Sequence, residues 1–476
     1  MSSNLGFELF KRASSTIPAY RQFLTDQNFD PSSVQTAEDF VKVPHVTKDN
    51  YLRKYSLNQI VWPDAFSQTT LFCSTSGSTG APYYFPRNDK LSEQYSYLIE
   101  DFLKRSHLNN PKTLVILGFG MGVWIGGVVT LRAFEIAGAR MNAPISILPA
   151  GYNKVEIMKA LKNLAPQFEQ TIIVGYPPFV KELIDECEDQ AIAISQLNPR
   201  FLFAAEAFTE TFRDYLCEKA GVANTYNDTL NIYGTADIGA MAYETPLSIL
   251  VRRLSIQQPE LFQSIFGQIS KTPTLAQYNP DFMQFEAVDG EILLSGDSSL
   301  PLIRYAVGDH GGVYSFEEME QTLQQHGIDL SMAARNAGIK GDLARHPFVF
   351  VYERKDLSAT LHGINLYPEF VKEALLSEML NPFFTERFTM ITKNDENQNQ
   401  YLEINLELRN GVEQSKKITT AAHQLIHNML MARSSEYSEI AKTVDAARLI
   451  QVVTWPKDYE VFFAPGTKQK WTMKST

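Results

Sequence analysis

Between Thr113 and Ala220 the chain repeats one pattern: a run of four or five apolar residues, then about ten residues with helical spacing. Thr113 to Leu117, Ile145 to Leu148, Thr171 to Val174 and Phe201 to Ala204 read as strands. A helix running from the Gly-rich turn 118–127 through Ala137, and helices over Val155 to Leu164, Phe179 to Cys187 and Glu210 to Ala220, read as the segments between and after them. Short apolar strands alternating with helices build a sheet covered by helices on its faces. A ligand in such a fold sits beyond the strand ends, among the connecting loops.

The rest of the chain departs from this rhythm. Residues 1 to 60 read as short helices and turns, with Thr47 placed to cap a helix through Leu52 and Tyr55, and a further helix is expected from about Lys90 to Lys104. Ser248 to Asp281 is rich in Gln and Pro and poor in periodicity, and is expected to run over the surface. Glu286 to Ser295 and Pro301 to Tyr305 carry turn signals at Asp289-Gly290 and Gly296-Asp297, which predicts antiparallel pairing in a β-rich subdomain attached to the sheet. A boundary falls near Tyr352 to Asp356. Beyond it the order is strand, helix, strand, helix, strand, with Tyr367 to Leu380, Tyr401 to Leu408 and Glu413 to Met431 the clearest pieces. The expected organisation is a large α/β N-terminal domain over residues 1–352, with mixed β-sheets and flanking helices, and a small mobile α+β C-terminal domain over residues 353–476.

Composition narrows the function. With 476 residues, 44% hydrophobic and 20% charged, the chain has the make-up of a soluble globular protein. A formal net charge of -11 and the absence of a basic stripe argue against nucleic-acid binding. Cys73, Cys187 and Cys217 lie too far apart for a metal cluster or a disulfide framework, which points to a reducing, cytoplasmic setting. The start, MSSNLGFELFKR, has no apolar leader, and five glycines interrupt the stretch from Leu114 to Leu131, so no membrane span is expected. The eight histidines show no paired-ligand spacing, and no Gly-x-Ser-x-Gly elbow occurs.

The chemistry-bearing stretch is Ser74-Thr75-Ser76-Gly77-Ser78-Thr79-Gly80-Ala81-Pro82. Five hydroxyls and two glycines give it many uncovered donors, a composition able to wrap a polyanion. It is not a Walker A loop, because Ala81-Pro82 stands where that loop needs lysine and a hydroxyl. Three further motifs follow in order: Tyr233-Gly234-Thr235-Ala236-Asp237; Pro301-Leu302-Ile303-Arg304-Tyr305 with Gly308-Asp309; and Glu353-Arg354-Lys355-Asp356 with Gly363-Ile364-Asn365-Leu366-Tyr367-Pro368. Together they resemble the adenylate-forming superfamily of acyl-CoA synthetases, and within it most the phenylacetate-CoA ligase group, over roughly residues 40 to 470.

That resemblance implies ATP-dependent activation of a carboxylic acid to an acyl-adenylate, then transfer to coenzyme A with release of AMP. Transfer to an acyl carrier protein or another acceptor would share the first half-reaction, and a non-catalytic nucleotide-binding descendant would keep only the binding. Ser76, Gly77, Ser78, Thr79 and Gly80 would hold the β and γ phosphates, and Thr235 the α phosphate, unless Thr235 caps a helix after Ala236. Asp237 stands where relatives carry glutamate and would coordinate Mg2+ from one methylene further back; Ala81 stands where many carry lysine. Asp309 would accept from both ribose hydroxyls, with Arg354 nearby because Ala306-Val307 replace the usual Arg-Thr. Ala205, Glu206 and Ala207, with Asn231, Tyr233 and Gly234, resemble the adenine pocket; Tyr233 would stack on the base or simply pack in the core. Met121 and Trp124 would wall an acyl pocket suited to an aromatic or medium apolar acid, unless their turn is only a glycine-rich helix entry. In Pro465-Gly466-Thr467-Lys468-Gln469-Lys470, either Lys468 or Lys470 would offset charge at the reacting phosphate, or the stretch is a solvated basic tail. Glu353 to Asp356 would be the hinge about which the small domain turns.

Overall fold

Strands form where the apolar runs predict them, and their burial shows why. Leu114, Val115, Ile116 and Leu117 are each at most 1% exposed, as a strand covered on both faces requires. A computed structural model describes residues 4–74, 83–123, 125–267, 272–339, 343–352, 358–375, 377–463 and 471–474. Leu71–Ser74 (β1) and Tyr84–Arg87 (β2) form an antiparallel pair flanking residues 75–82. Thr113–Leu117 (β3), Ile145–Leu148 (β4), Gln170–Gly175 (β5), Pro199–Ala204 (β6) and Thr229–Thr235 (β7) then run parallel, in the spatial order β4-β3-β5-β6-β7. Helices Ile125–Met141, Lys154–Asn163, Pro177–Asp189 and Glu210–Ala220 connect and cover them.

Past β7 the same sheet turns antiparallel. Gly239–Tyr243 (β8), Thr274–Gln277 (β9), Met283–Val288 (β10), Glu291–Gly296 (β11), Leu302–Tyr314 (β12) and Phe348–Tyr352 (β13) continue it in the order β8-β9-β13-β12-β11-β10, giving eleven strands among the described residues. The β-rich portion expected to be attached to the sheet is a direct continuation of it. The hairpin at Asp289-Gly290 forms, and β13 and β9 tie its strands to the parallel half.

Much of the described part of the stretch expected on the surface is instead interior. Helix Pro246–Gln257 starts on a Thr245 capping box with proline at its first position, and Leu247, Ile249, Leu250 and Val251 are all buried in it. A helix buried nearly all round shows no amphipathic period, which is why its sequence reads as irregular.

The final portion builds a second layer of structure. Ala359–Leu361 (β14) and Ile364–Leu366 (β15) form a hairpin; Phe384–Asn394 (β16), Gln400–Leu408 (β17), Ile450–Trp455 (β18) and Thr472–Lys474 (β19) form a four-stranded sheet ordered β18-β17-β16-β19. Helix Lys416–Arg433 packs on it through Ala422, Ile426 and Leu430. The fully buried members of this core all lie between residues 359 and 450, with Tyr152 of the large unit packed at its margin. The two-part α/β and α+β architecture is thus present, while the expected hinge, residues 353–356, lies outside the described residues. Among the described residues no helix is long and apolar enough to cross a membrane.

Candidate active site

Because β3, β5, β6 and β7 are parallel and in register, their carboxyl ends at Leu117, Gly175, Ala204 and Thr235 open onto one edge of the sheet. The residues just past those ends are Gly118, Tyr176, Ala205-Glu206 and Ala236-Asp237. Ala205 takes φ 74°, a left-handed conformation costly for a residue with a Cβ, so the chain turns sharply where β6 stops.

Thr235 is the last residue of β7, and residues 236–238 turn straight back into β8. There is no helix after Ala236 for it to cap. Its Oγ1 is buried with no hydrogen-bond partner among the described residues, and so is Asn231 Oδ1 two rungs earlier on the same strand. A buried polar atom left unmatched costs about 1–3 kcal/mol, so both atoms on β7 would gain from a polar partner.

Asp309 lies in β12 behind Gly308, whose φ is 84°. A step of two residues along β11 faces a step of four along β12 here, since Glu291 pairs with His310 and Leu293 with Ala306. That bulge re-aims the strand and turns the Asp309 carboxylate inward, where it is 6% exposed. Tyr233 Oη donates to Asp309 Oδ2 at 2.5 Å. The Tyr233 ring also lies 6.2 Å from Phe285 at 29°, so one face packs against the core.

Asp237 does not sit as a metal ligand should. Its side chain is 1% exposed, and Oδ2 already receives the Lys48 ammonium at 3.2 Å and the Tyr305 hydroxyl at 2.6 Å. Arg87, itself buried with its guanidinium pKa pushed down by that burial, donates to the backbone carbonyls of Ala236 and Asp237. Magnesium keeps several of its waters, and a buried carboxylate matched by an ammonium offers a hydrated ion no entry. In this arrangement the Asp237 carboxylate is occupied by Lys48 and Tyr305 rather than open to a hydrated Mg2+.

Glu206 contributes its carbonyl to the expected pocket, accepting from Asn231 Nδ2 at 3.0 Å, but its carboxylate turns toward the small unit. Met121 lies near Gly127 and Gly151, where a Cβ would lie 2.5 Å and 3.6 Å from its side chain. Behind it stand Phe119, 5.1 Å from Tyr176, and Tyr152, stacked on Tyr176 at 5.8 Å. Burial pushes the Tyr176 hydroxyl up to about 12 and raises that of Tyr152 well above its ordinary range, so both are neutral walls. Ser76, Gly77, Ser78, Thr79, Gly80, Trp124, Arg354, Lys468 and Lys470 lie outside the described residues.

Sequence reasoning missed Lys48, Arg87, Tyr152 and Tyr176. Arg87 had a signal, a lone cation closing the apolar run Tyr83-Tyr84-Phe85-Pro86 just after the Ser/Gly loop. Lys48 had none, because the capping box between Thr47 and Asn50 explains its neighbourhood without it.

No protein-family model matches the chain, and no curated protein matches it in sequence. Solved structures do. A 2-hydroxyisobutyryl-CoA ligase in complex with 2-HIB-AMP and CoA in the thioesterification state is similar with a TM-score of 0.64 at 15% identity, covering 99% of this chain and 89% of that one. The same ligase in an open conformation gives 0.54 at 14% identity, covering 99% and 90%. In the postadenylation state with 2-HIB-AMP it gives 0.54 at 14% identity, covering 99% and 89%. At these identities the likeness establishes the fold, a large α/β unit followed by a small α+β unit.

Proposed function

We propose that the chain is an adenylate-forming ligase, which activates a carboxylic acid with ATP and transfers the acyl group to coenzyme A. The observation that carries this reading is the unmatched Thr235 hydroxyl at the end of β7, with the buried Asp309–Tyr233 pair on the fold of a CoA ligase. In the first half-reaction a carboxylate oxygen attacks the α phosphorus and the bond to the β-phosphate oxygen breaks, releasing pyrophosphate. Thr235 would donate to the α-phosphate oxygen as its charge grows. Asp309, steadied by Tyr233, would accept from the ribose hydroxyls, and the Asn231–Glu206 segment would meet the base. Lys48, held by Asp237 yet 38% exposed, would supply a positive charge where Ala81 supplies none. Magnesium belongs here with the nucleotide, as part of the substrate.

In the second half-reaction the CoA thiolate attacks the acyl carbon, the carbon–oxygen bond to phosphate breaks, and AMP leaves. The higher similarity to the thioesterification state than to the open or postadenylation states supports reading the present arrangement as the thioester-forming one. In the finer reading, the chain stands nearest the phenylacetate-CoA ligase group, with an aromatic or medium apolar acid held by Phe119, Met121, Trp124, Tyr152 and Tyr176. We assign the phosphate loop to Ser76–Gly80, ribose support to Arg354, and the first-step ammonium to Lys468 or Lys470. Residues 1–352 and 353–476 would be the two moving parts.

The test is pyrophosphate release with ATP, Mg2+ and a panel of aromatic, aliphatic and hydroxy acids, followed by thioester formation on adding CoA. At least one acid should give both. Tight ATP binding without acid-dependent pyrophosphate release from any of them would overturn the ligase reading.

A further inference from the structure

The turn of the β14–β15 hairpin has two backbone N–H groups, and side chains meet both. The His362 N–H donates to Gln400 Oε1 at 2.5 Å, and Gln400 Nε2 donates to Glu206 Oε2 at 2.9 Å. The Gly363 N–H donates to the other carboxylate oxygen, Glu206 Oε1. Gln400 opens β17 in the small unit; Glu206 follows β6 in the large one. Both turn residues are left-handed, His362 at φ 47° and Gly363 at φ 79°, and His362 is 3% exposed. Gly363 backs onto Tyr176 so closely that a Cβ would lie 2.5 Å from the ring. Beside this contact Lys181 Nζ donates to Asn399 Oδ1 at 3.0 Å, again across the two units.

We propose that Glu206 and Gln400 form a latch which holds the small unit in the thioester-forming arrangement, making them positioning residues for the second half-reaction. The inference rests on the reading of that arrangement given above. Its physical basis is the pairing of donors and acceptors. A carboxylate offers acceptors only, so it can receive both the Gly363 N–H and the Gln400 amide, and the charge strengthens both bonds. When the small unit turns away, Glu206 regains water and Lys181 keeps its own ion pair with Asp185, so undocking strands no charge. The latch can therefore close tightly and still open within each catalytic cycle.

The donor pattern makes a swap the decisive experiment. E206Q can accept only one of the two bonds and sets an amide donor against the other. Q400E sets two carboxylates against each other. In the double swap, the new amide at position 206 can accept from the Gly363 N–H through its oxygen and donate through its nitrogen to the new carboxylate at position 400. That carboxylate also accepts from the His362 N–H, so all three bonds return. Two readouts are used: thioester formation from supplied acyl-adenylate and CoA, and the distance between spin labels at the exposed positions Val155 and Met379, one on each unit. Thermal melts confirm that the variants fold. Q400E should slow thioester formation about 10- to 100-fold, the range set by a lost hydrogen bond to a charged group, and leave pyrophosphate release within about two-fold. E206Q should also slow thioester formation and broaden the label distance, and the double swap should restore both. If all variants match wild type, or if the double swap is as impaired as the sum of its parts, the latch is overturned. The label distance separates this from the ligase reading. A swap that restores a docked distance in a protein that releases no pyrophosphate would uphold the latch and sink the ligase.

Discussion

At Asp237 the carboxylate is buried in an ion pair with the partly exposed Lys48, 3.2 Å away. Asp237→Asn should therefore lower the rate of pyrophosphate release without changing the Mg2+ concentration that half-saturates it. Lys48→Met should do the same, and the double variant should be no worse than either single, because both disturb one ammonium. A Mg2+ titration of the three variants checks this; a large rise in the Mg2+ requirement in Asp237→Asn alone would return the metal to that carboxylate. His362 gives a second prediction at this scale. Burial pulls its imidazole down to about 4 from an ordinary 6.5, so its contribution to stability is present above pH 6.5 and is lost as pH falls toward 4. His362→Asn, which tolerates the left-handed φ, should melt with less loss between pH 6.5 and 4 than wild type. Asp309 was singled out through the ordered set of motifs that ends on Gly308-Asp309, whereas its hydrogen bond to Tyr233, 76 residues away, has no local signal in the sequence.

At the scale of elements, four of the five parallel strands were legible because each is a bounded apolar run, β7 was not because Asn231 and Gly234 interrupt it, and helix Pro246–Gln257 was not because burial on nearly every side erases the period. What holds that helix in place is equally invisible in a linear reading. Arg213, fully buried, forks onto Glu244 at 2.7 and 2.8 Å and onto Glu210 at 3.0 and 3.2 Å, while Arg252 reaches Glu210 at 2.7 Å. Glu244 also accepts the Asn231 N–H at 3.1 Å, so this network props the strand that carries Thr235. Burial pushes the Glu210 carboxyl up, but Arg213 and Arg252 outweigh it and hold it down at about 2. Removing one member leaves charges buried without a match, which costs about 3–5 kcal/mol. Arg213→Met should lose stability of that size in urea unfolding, far more than an exposed Arg-to-Met change such as Arg53→Met. Since the site depends on β7, its ATP affinity should fall in parallel.

Across the whole molecule, the two units meet through Tyr152, Tyr176 and Glu206 of the large unit and Gly363, Gln400 and Glu436 of the small one. Glu436 is the uncompensated charge at this contact. Burial raises its carboxyl to about 7, both tyrosines feel it, and among the described residues it forms no ion pair. The docked arrangement therefore favours the protonated acid. Its support from Glu436 is full below the ordinary carboxyl pKa of about 4.5 and is lost as pH rises through about 7. If the docked arrangement is the one that forms the thioester, raising the pH from 6 to 8.5 should slow that half-reaction relative to pyrophosphate release, against the usual rise expected as the CoA thiol ionises. Glu436→Gln, which is neutral throughout, should remove this fall and leave only the rise. Label distances between Val155 and Met379 across the same pH range give the matching structural measure: wild type should lose docked population toward pH 8.5, and Glu436→Gln should hold it constant. Identical pH profiles for the two proteins by both measures would mean that Glu436 stays solvated in the docked state, and that closure is set by the polar contacts at Glu206 and Lys181 alone.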